Sequence, residues 1–137
     1  MVCLLVSAGV ILLIDRWSKA AVRILSSDQS FSCAHVVRIH RVINRNAIYR
    51  NEVARFVMVI VWLMALVSTV ALRHSGLWFH AQPAEIGVGL ALGGAAGNLL
   101  DVWRHQSVVD FIDLGWWPVF NLADVGIVVG LLLAFWR

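Results

Sequence analysis

Residues 93–124 read GGAAGNLLDVWRHQSVVDFIDLGWWPVFNLAD. The stretch leaves one apolar segment, crosses a short polar bend and enters another apolar segment. Asp101, Asp110 and Asp113 lie in or beside the bend, and Asp124 sits in the following apolar run. A carboxylate at the edge of a membrane helix is costly, and such groups usually serve a function. The rest of the chain reads as a scaffold that brings Asp110 and Asp124 together.

Working outward, the residues before this stretch are apolar in long runs. Ile86–Leu100 is uncharged and rich in glycine, and Gly93 and Gly97 are four apart, so this helix is expected to pack backbone-close on a neighbour. Pro83 suits the first turn of that helix, and Glu85 in the same turn suits its dipole. Phe56–Leu72 is uncharged and bounded by Arg55 and Arg73, which marks a spanning helix. Trp78 and Phe79 return the chain to the interface. After the stretch, Val119–Trp136 forms a last apolar run, with Arg137 behind it. At the other end, Val2–Ile14 continues through Asp15-Arg16-Trp17-Ser18-Lys19 to Leu25 as a first helix. Asp15 and Lys19 are four apart with the acid first, the favourable order for an ion pair on one helix face, and a structural pair is expected there. No basic residue precedes the first apolar run, which argues against a cleaved signal segment.

Between the first two spans, Ser26–Asn51 is polar. Its Phe31–Ile43 section alternates and predicts strand-like structure, and Asn44–Tyr49 reads as a turn. His35 and His40 are read as surface groups and not as metal ligands.

Composition agrees. Of 137 residues, 61% are hydrophobic and 14% charged, against roughly 45–50% and 25% in soluble domains. One membrane domain over residues 1–137 is expected. The net charge of +3 comes from arginines flanking apolar runs, which suits lipid headgroups better than nucleic acid. Cys3 and Cys33 form neither a disulfide framework nor a zinc site. Four spans place Asp15, Lys19, Asn98, Asp101, Asp110, Asn121 and Asp124 near one membrane face. Two carboxylates at close range in a low-dielectric setting share a proton, so one can activate water while the other protonates a leaving amine. A proton-relay transporter is the physical alternative.

These residues also carry a family likeness. The chain resembles lipoprotein signal peptidase (signal peptidase II). Asp15-Arg16-Trp17-Ser18-Lys19 is similar to that family's D-x-x-[ST]-K motif, and Gly93–Asp101 to G-G-A-x-G-N-x-x-D-R. Val108–Phe111 matches V-V-D-F, and Phe120–Asp124 matches F-N-x-A-D. The resemblance implies an all-α membrane protein of four transmembrane helices with a small extramembrane β element. It implies an aspartic endopeptidase that cleaves diacylglyceryl-modified prolipoproteins before the lipidated cysteine. Asp110 and Asp124 would be catalytic. Asn44, Asn98, Asp101, Arg104, Asn121 and Ala123 would bind substrate or support the pair, and Asp15 with Lys19 would hold the first helix. No metal or other cofactor is implied. The partners would be the lipidated precursor and membrane lipids, the protein a monomer, and its location the bacterial cytoplasmic membrane with the site near the periplasmic face. A relative that binds precursors without efficient turnover is the runner-up.

The chain departs from the family at Val102, where the motif has Arg; Arg104 is the substitute expected here. The N-x-G-x-A-F turn of the family survives only as Asn44-Arg45-Asn46-Ala47-Ile48-Tyr49. Charge bias also opposes the family. Arg23, Arg38, Arg41, Arg45, Arg50 and Arg104 share the side that the resemblance puts outside, whereas arginines normally mark the cytoplasmic side. The expectation follows the motifs.

Overall fold

The computed structural model describes residues 1–24, 30–33, 37–76 and 82–135. His35, Trp78, Phe79, Trp136 and Arg137 fall outside them. The described elements are α1 (Val2–Arg23), β1 (Ser30–Cys33), β2 (Val37–Asn44), α2 (Ala47–Arg50), α3 (Glu52–His74), α4 (Gln82–His105), β3 (Val108–Asp113) and α5 (Leu122–Ala134). The chain is mostly helical, with one three-stranded antiparallel sheet in the order β1-β2-β3.

α4 is the central helix, because its small residues let it approach a neighbour on two faces. A Cβ added at Gly93 would fall 2.7 Å from the Cα of Ala8 in α1. One added at Gly94 would fall 2.5 Å from the carbonyl oxygen of Ala123 in α5. With no side chains in the way, van der Waals contact between backbones replaces the hydrophobic drive that lipid cannot supply. α3 is attached differently. None of its residues is buried. It meets α4 through Trp62, whose indole Nε1 donates to the Leu92 carbonyl at 3.0 Å, and through the edge-to-face pair Phe56–Trp103 at 5.6 Å. α3 and α4 are both long and apolar enough to cross a membrane. α1 has 22 residues but carries Asp15, Arg16, Lys19 and Arg23 in its second half, and α5 has 13 residues.

Three expectations are corrected. The 102–118 connection is not simply a bend. α4 runs on to His105, so Asp101 is helical, and the chain then turns at Gln106 (φ 52°) into β3. β3 forms because its β-branched and aromatic residues pair with β2, Val42 opposite Asp110 and Asn44 opposite Val108. Second, residues 44–49 are not a plain turn. Asn44 ends β2, and Ala47–Arg50 forms a single helical turn whose cap, the Asn46 side chain, accepts from Ile48 N at 3.2 Å. Third, the last helix starts at Leu122 and not Val119, because Asn121 caps it.

The link from β3 to α5 sets the site. Asp113 accepts from Gly115 N at 2.7 Å, closing a turn that needs the positive φ of Gly115 (78°). Phe120 then returns beside Ile112 in an isolated antiparallel bridge. That return brings Asn121 alongside Asp110.

Candidate active site

Asp110 and Asp124 come from different elements and are joined by one residue. Asn121 donates through Nδ2 to Asp110 Oδ1 at 2.7 Å and through its backbone N–H to Asp124 Oδ2 at 3.0 Å. Its own Oδ1 accepts from Asp124 N at 3.1 Å, which completes a capping box at the start of α5. The helix N-terminus therefore fixes Asp124, and the cap residue fixes Asp110. The second oxygen of each carboxylate is also held. Asn44 Nδ2 donates to Asp110 Oδ2 at 3.1 Å, and Asn98 Nδ2 to Asp124 Oδ1 at 2.8 Å. All four oxygens thus accept from neutral amide N–H groups, which orient the pair without adding a cation. Burial raises the Asp110 carboxyl above its ordinary pKa; the Asn44 and Asn121 donors oppose this, and the Asp124 charge adds to it.

Beneath the pair lies a charged layer. Lys19, almost wholly buried, places Nζ 2.8 Å from Asp15 Oδ2, 2.9 Å from Asp101 Oδ2 and 2.8 Å from Asn98 Oδ1. Asn98 Oδ1 also accepts from Asn121 Nδ2 at 3.1 Å. The Asp15–Lys19 pair is therefore tied, through Asn98, to Asp124. Asp15 Oδ1 accepts from Ala123 N at 3.1 Å, so α1 also holds the first turn of α5. Asp101 is neutralised by two further cations of α1: Arg16 at 2.7 Å and Arg23 at 3.2 Å.

Of the residues singled out in the sequence, Asn44, Asn98, Asp101, Asn121, Ala123, Asp15 and Lys19 form one network around Asp110 and Asp124. Arg104 does not join it. It lies exposed in the last turn of α4, with no ion pair among the described residues. Arg104 was expected to substitute for the motif Arg replaced by Val102; the arginines that pair with Asp101 are instead Arg16 and Arg23. They were legible in principle, since Arg16, Lys19 and Arg23 recur at helical spacing on one face of α1. His40 is half-buried, with Nδ1 3.9 Å from Asp113 Oδ2. Tyr49 was read only as the end of a turn, yet it lines a groove along α3, α4 and α5.

From this polar end a groove of about 800 Å³ runs along α3, α4 and α5. Asn98 and Tyr49 line it near the carboxylates, and Val61, Leu92, Ile127 and Leu131 line it further on. The groove lies where α3, packed on α4 and α2, faces α5 across α4.

The profile of the family described as "Signal peptidase (SPase) II" matches residues 7–137. The chain belongs to the signal peptidase II family. Among its relatives, the lipoprotein signal peptidase of Moorella thermoacetica is 36% identical over 138 residues, which span 97% of this chain and 90% of that protein. That of Syntrophomonas wolfei is 49% identical over 73 residues, 53% of this chain and about half (49%) of that protein's length. The fold of this signal peptidase II member is shared with a solved bacterial membrane enzyme, with a TM-score of 0.80 at 23% identity over 95% of this chain and 88% of that one. The family is one of proteases, and its membrane character agrees with the apolar helices.

Proposed function

We propose that this chain is an aspartic endopeptidase of the bacterial cytoplasmic membrane, removing signal peptides from diacylglyceryl-modified prolipoproteins by cleavage before the lipidated cysteine. The observation that carries this reading is the double grip of Asn121, which holds Asp110 and Asp124 side by side at the polar end of an apolar groove. In this reading α1, α3, α4 and α5 cross the membrane, and the sheet lies at the periplasmic face.

The proposed chemistry uses one proton shared by the pair. Asp110, whose burial favours the neutral carboxyl, holds the proton. Asp124 takes a proton from a water as its oxygen attacks the scissile carbonyl carbon, and Asp110 gives its proton to the carbonyl oxygen. Asp124 then returns its proton to the amide nitrogen, Asp110 recovers one from the tetrahedral diol, and the C–N bond breaks. The amide donors hold both carboxylates in place throughout, so little reorganisation is needed. The groove takes the apolar signal segment.

The test is purified protein in detergent micelles with two synthetic precursors, identical except for the diacylglyceryl group on cysteine. Mass spectrometry is expected to show a single cut before the cysteine of the modified precursor alone. No cut, or equal cutting of both, would overturn the proposal.

A further inference from the structure

We infer that Tyr49 is a further catalytic residue, its phenolic hydroxyl donating a hydrogen bond to the scissile carbonyl oxygen as the tetrahedral intermediate forms. The inference rests on the peptidase reading above. Three observations lead to it. Tyr49 lines the groove at the end where Asn98 and the two carboxylates meet. Its side chain has no hydrogen-bond partner among the described residues, and a half-buried phenol normally has one. Its backbone is held at both ends of α2: the Asn46 side chain accepts from Ile48 N at 3.2 Å, and Asn51 N donates to the Ile48 carbonyl at 3.3 Å. Among the described residues nothing uses the hydroxyl, and Tyr49 lies at the mouth of the site.

The phenol also senses both carboxylates. Burial, followed by the charges of Asp110 and Asp124, raises it above its ordinary pKa. It therefore stays protonated and can only be a donor toward a basic oxygen. The carbonyl oxygen has two lone pairs, so it can take the Asp110 proton on one and the Tyr49 hydrogen bond on the other. The hydrogen bond strengthens as negative charge grows on that oxygen, which is the condition for a contribution to kcat instead of KM.

Tyr49 is the single tyrosine of the chain, so its ionisation can be followed by absorbance without labelling. Tyr49→Phe keeps the ring and removes only the hydroxyl. We expect kcat on the diacylglyceryl-modified precursor to fall by about tenfold or more, with KM within about twofold and unfolding temperature unchanged. In the otherwise intact protein, Asp124→Asn should shift the tyrosine titration to lower pH. If wild type cleaves and Tyr49→Phe cleaves at the same rate, the Tyr49 role is wrong and the peptidase reading stands. A titration indifferent to both Asp110→Asn and Asp124→Asn would also overturn it, by putting the hydroxyl out of reach. If wild type does not cleave at all, the peptidase reading fails and the Tyr49 role falls with it.

Discussion

Replacing Lys19 with methionine removes a buried cation while keeping most of the side chain's volume. The three partners of Lys19 fare differently. Asp101 keeps Arg16 and Arg23, and Asn98 keeps its contacts to Asn121 and Asp124. Asp15 is left, among the described residues, with the Ala123 N–H alone, and it is fully buried. Breaking a buried ion pair on one side costs about 3–5 kcal/mol, a large part of a typical folding stability of about 5–15 kcal/mol. Most of the loss should therefore trace to one stranded carboxylate, and neutralising it should recover much of the stability. We expect Lys19→Met to lower both folded yield and unfolding temperature sharply, and Lys19→Met/Asp15→Asn to be more stable than Lys19→Met alone. The assay is size exclusion in detergent followed by thermal unfolding, read by tryptophan fluorescence. Turnover per folded molecule should fall less than yield, since Asn98 keeps its other contacts. A single variant within about 0.5 kcal/mol of wild type, or a double variant no better than the single, would refute the reasoning.

Other consequences follow from the same geometry. Asp110 is raised in the folded state, so its contribution to stability is fully present below the unfolded pKa and is lost as pH rises through the folded one. Relative to wild type, Asp110→Asn should thus gain stability as pH rises from the ordinary carboxylate range toward 7, over a constant cost for setting its NH2 group against the Asn44 or Asn121 donor. A gain that grew at low pH would contradict this. Gly93→Ala, which drives a methyl into α1, should destabilise by about 1–3 kcal/mol, whereas Gly9→Ala, with nothing within 4 Å, should be neutral or gain about 0.5–1 kcal/mol from helix propensity. Thermal unfolding of the two compares them directly. With Cys3 and Cys33 removed, an impermeant thiol reagent on spheroplasts should label a cysteine at Ser30 and spare one at Ser75. The reverse pattern would mean that the arginine bias sets the orientation.

Much of the scaffold was legible because membrane helices announce themselves as uncharged runs between arginines, as at Arg55 and Arg73. The meeting of Asp15, Lys19, Asn98, Asp101 and Asp124 was expected from their places at the ends of apolar runs, and their contacts show it. What stayed hidden depends on non-local pairing. β3 pairs Val42 with Asp110 across some 70 residues of chain, and although VVDFID holds strand formers, its partner strand cannot be read locally. Nearness in sequence suggests Arg104 as the substitute for the family Arg at position 102, but the helix leaves it exposed. Tyr49 was read only as the end of a turn because a one-turn helix has too few residues to show a period. The groove was invisible too, since it depends on how α3 packs on α4 and α2.

The central claim is that Asp110 and Asp124 act as one unit. The most direct measurement is the cleavage rate of diacylglyceryl-modified precursor by Asp110→Asn, Asp124→Asn and the double variant, each first shown to be folded. A pair sharing one proton fails when either member cannot ionise, so each single change should abolish cleavage and the double variant should be no slower than either. Full activity in either single variant, or losses that multiply in the double, would contradict the account.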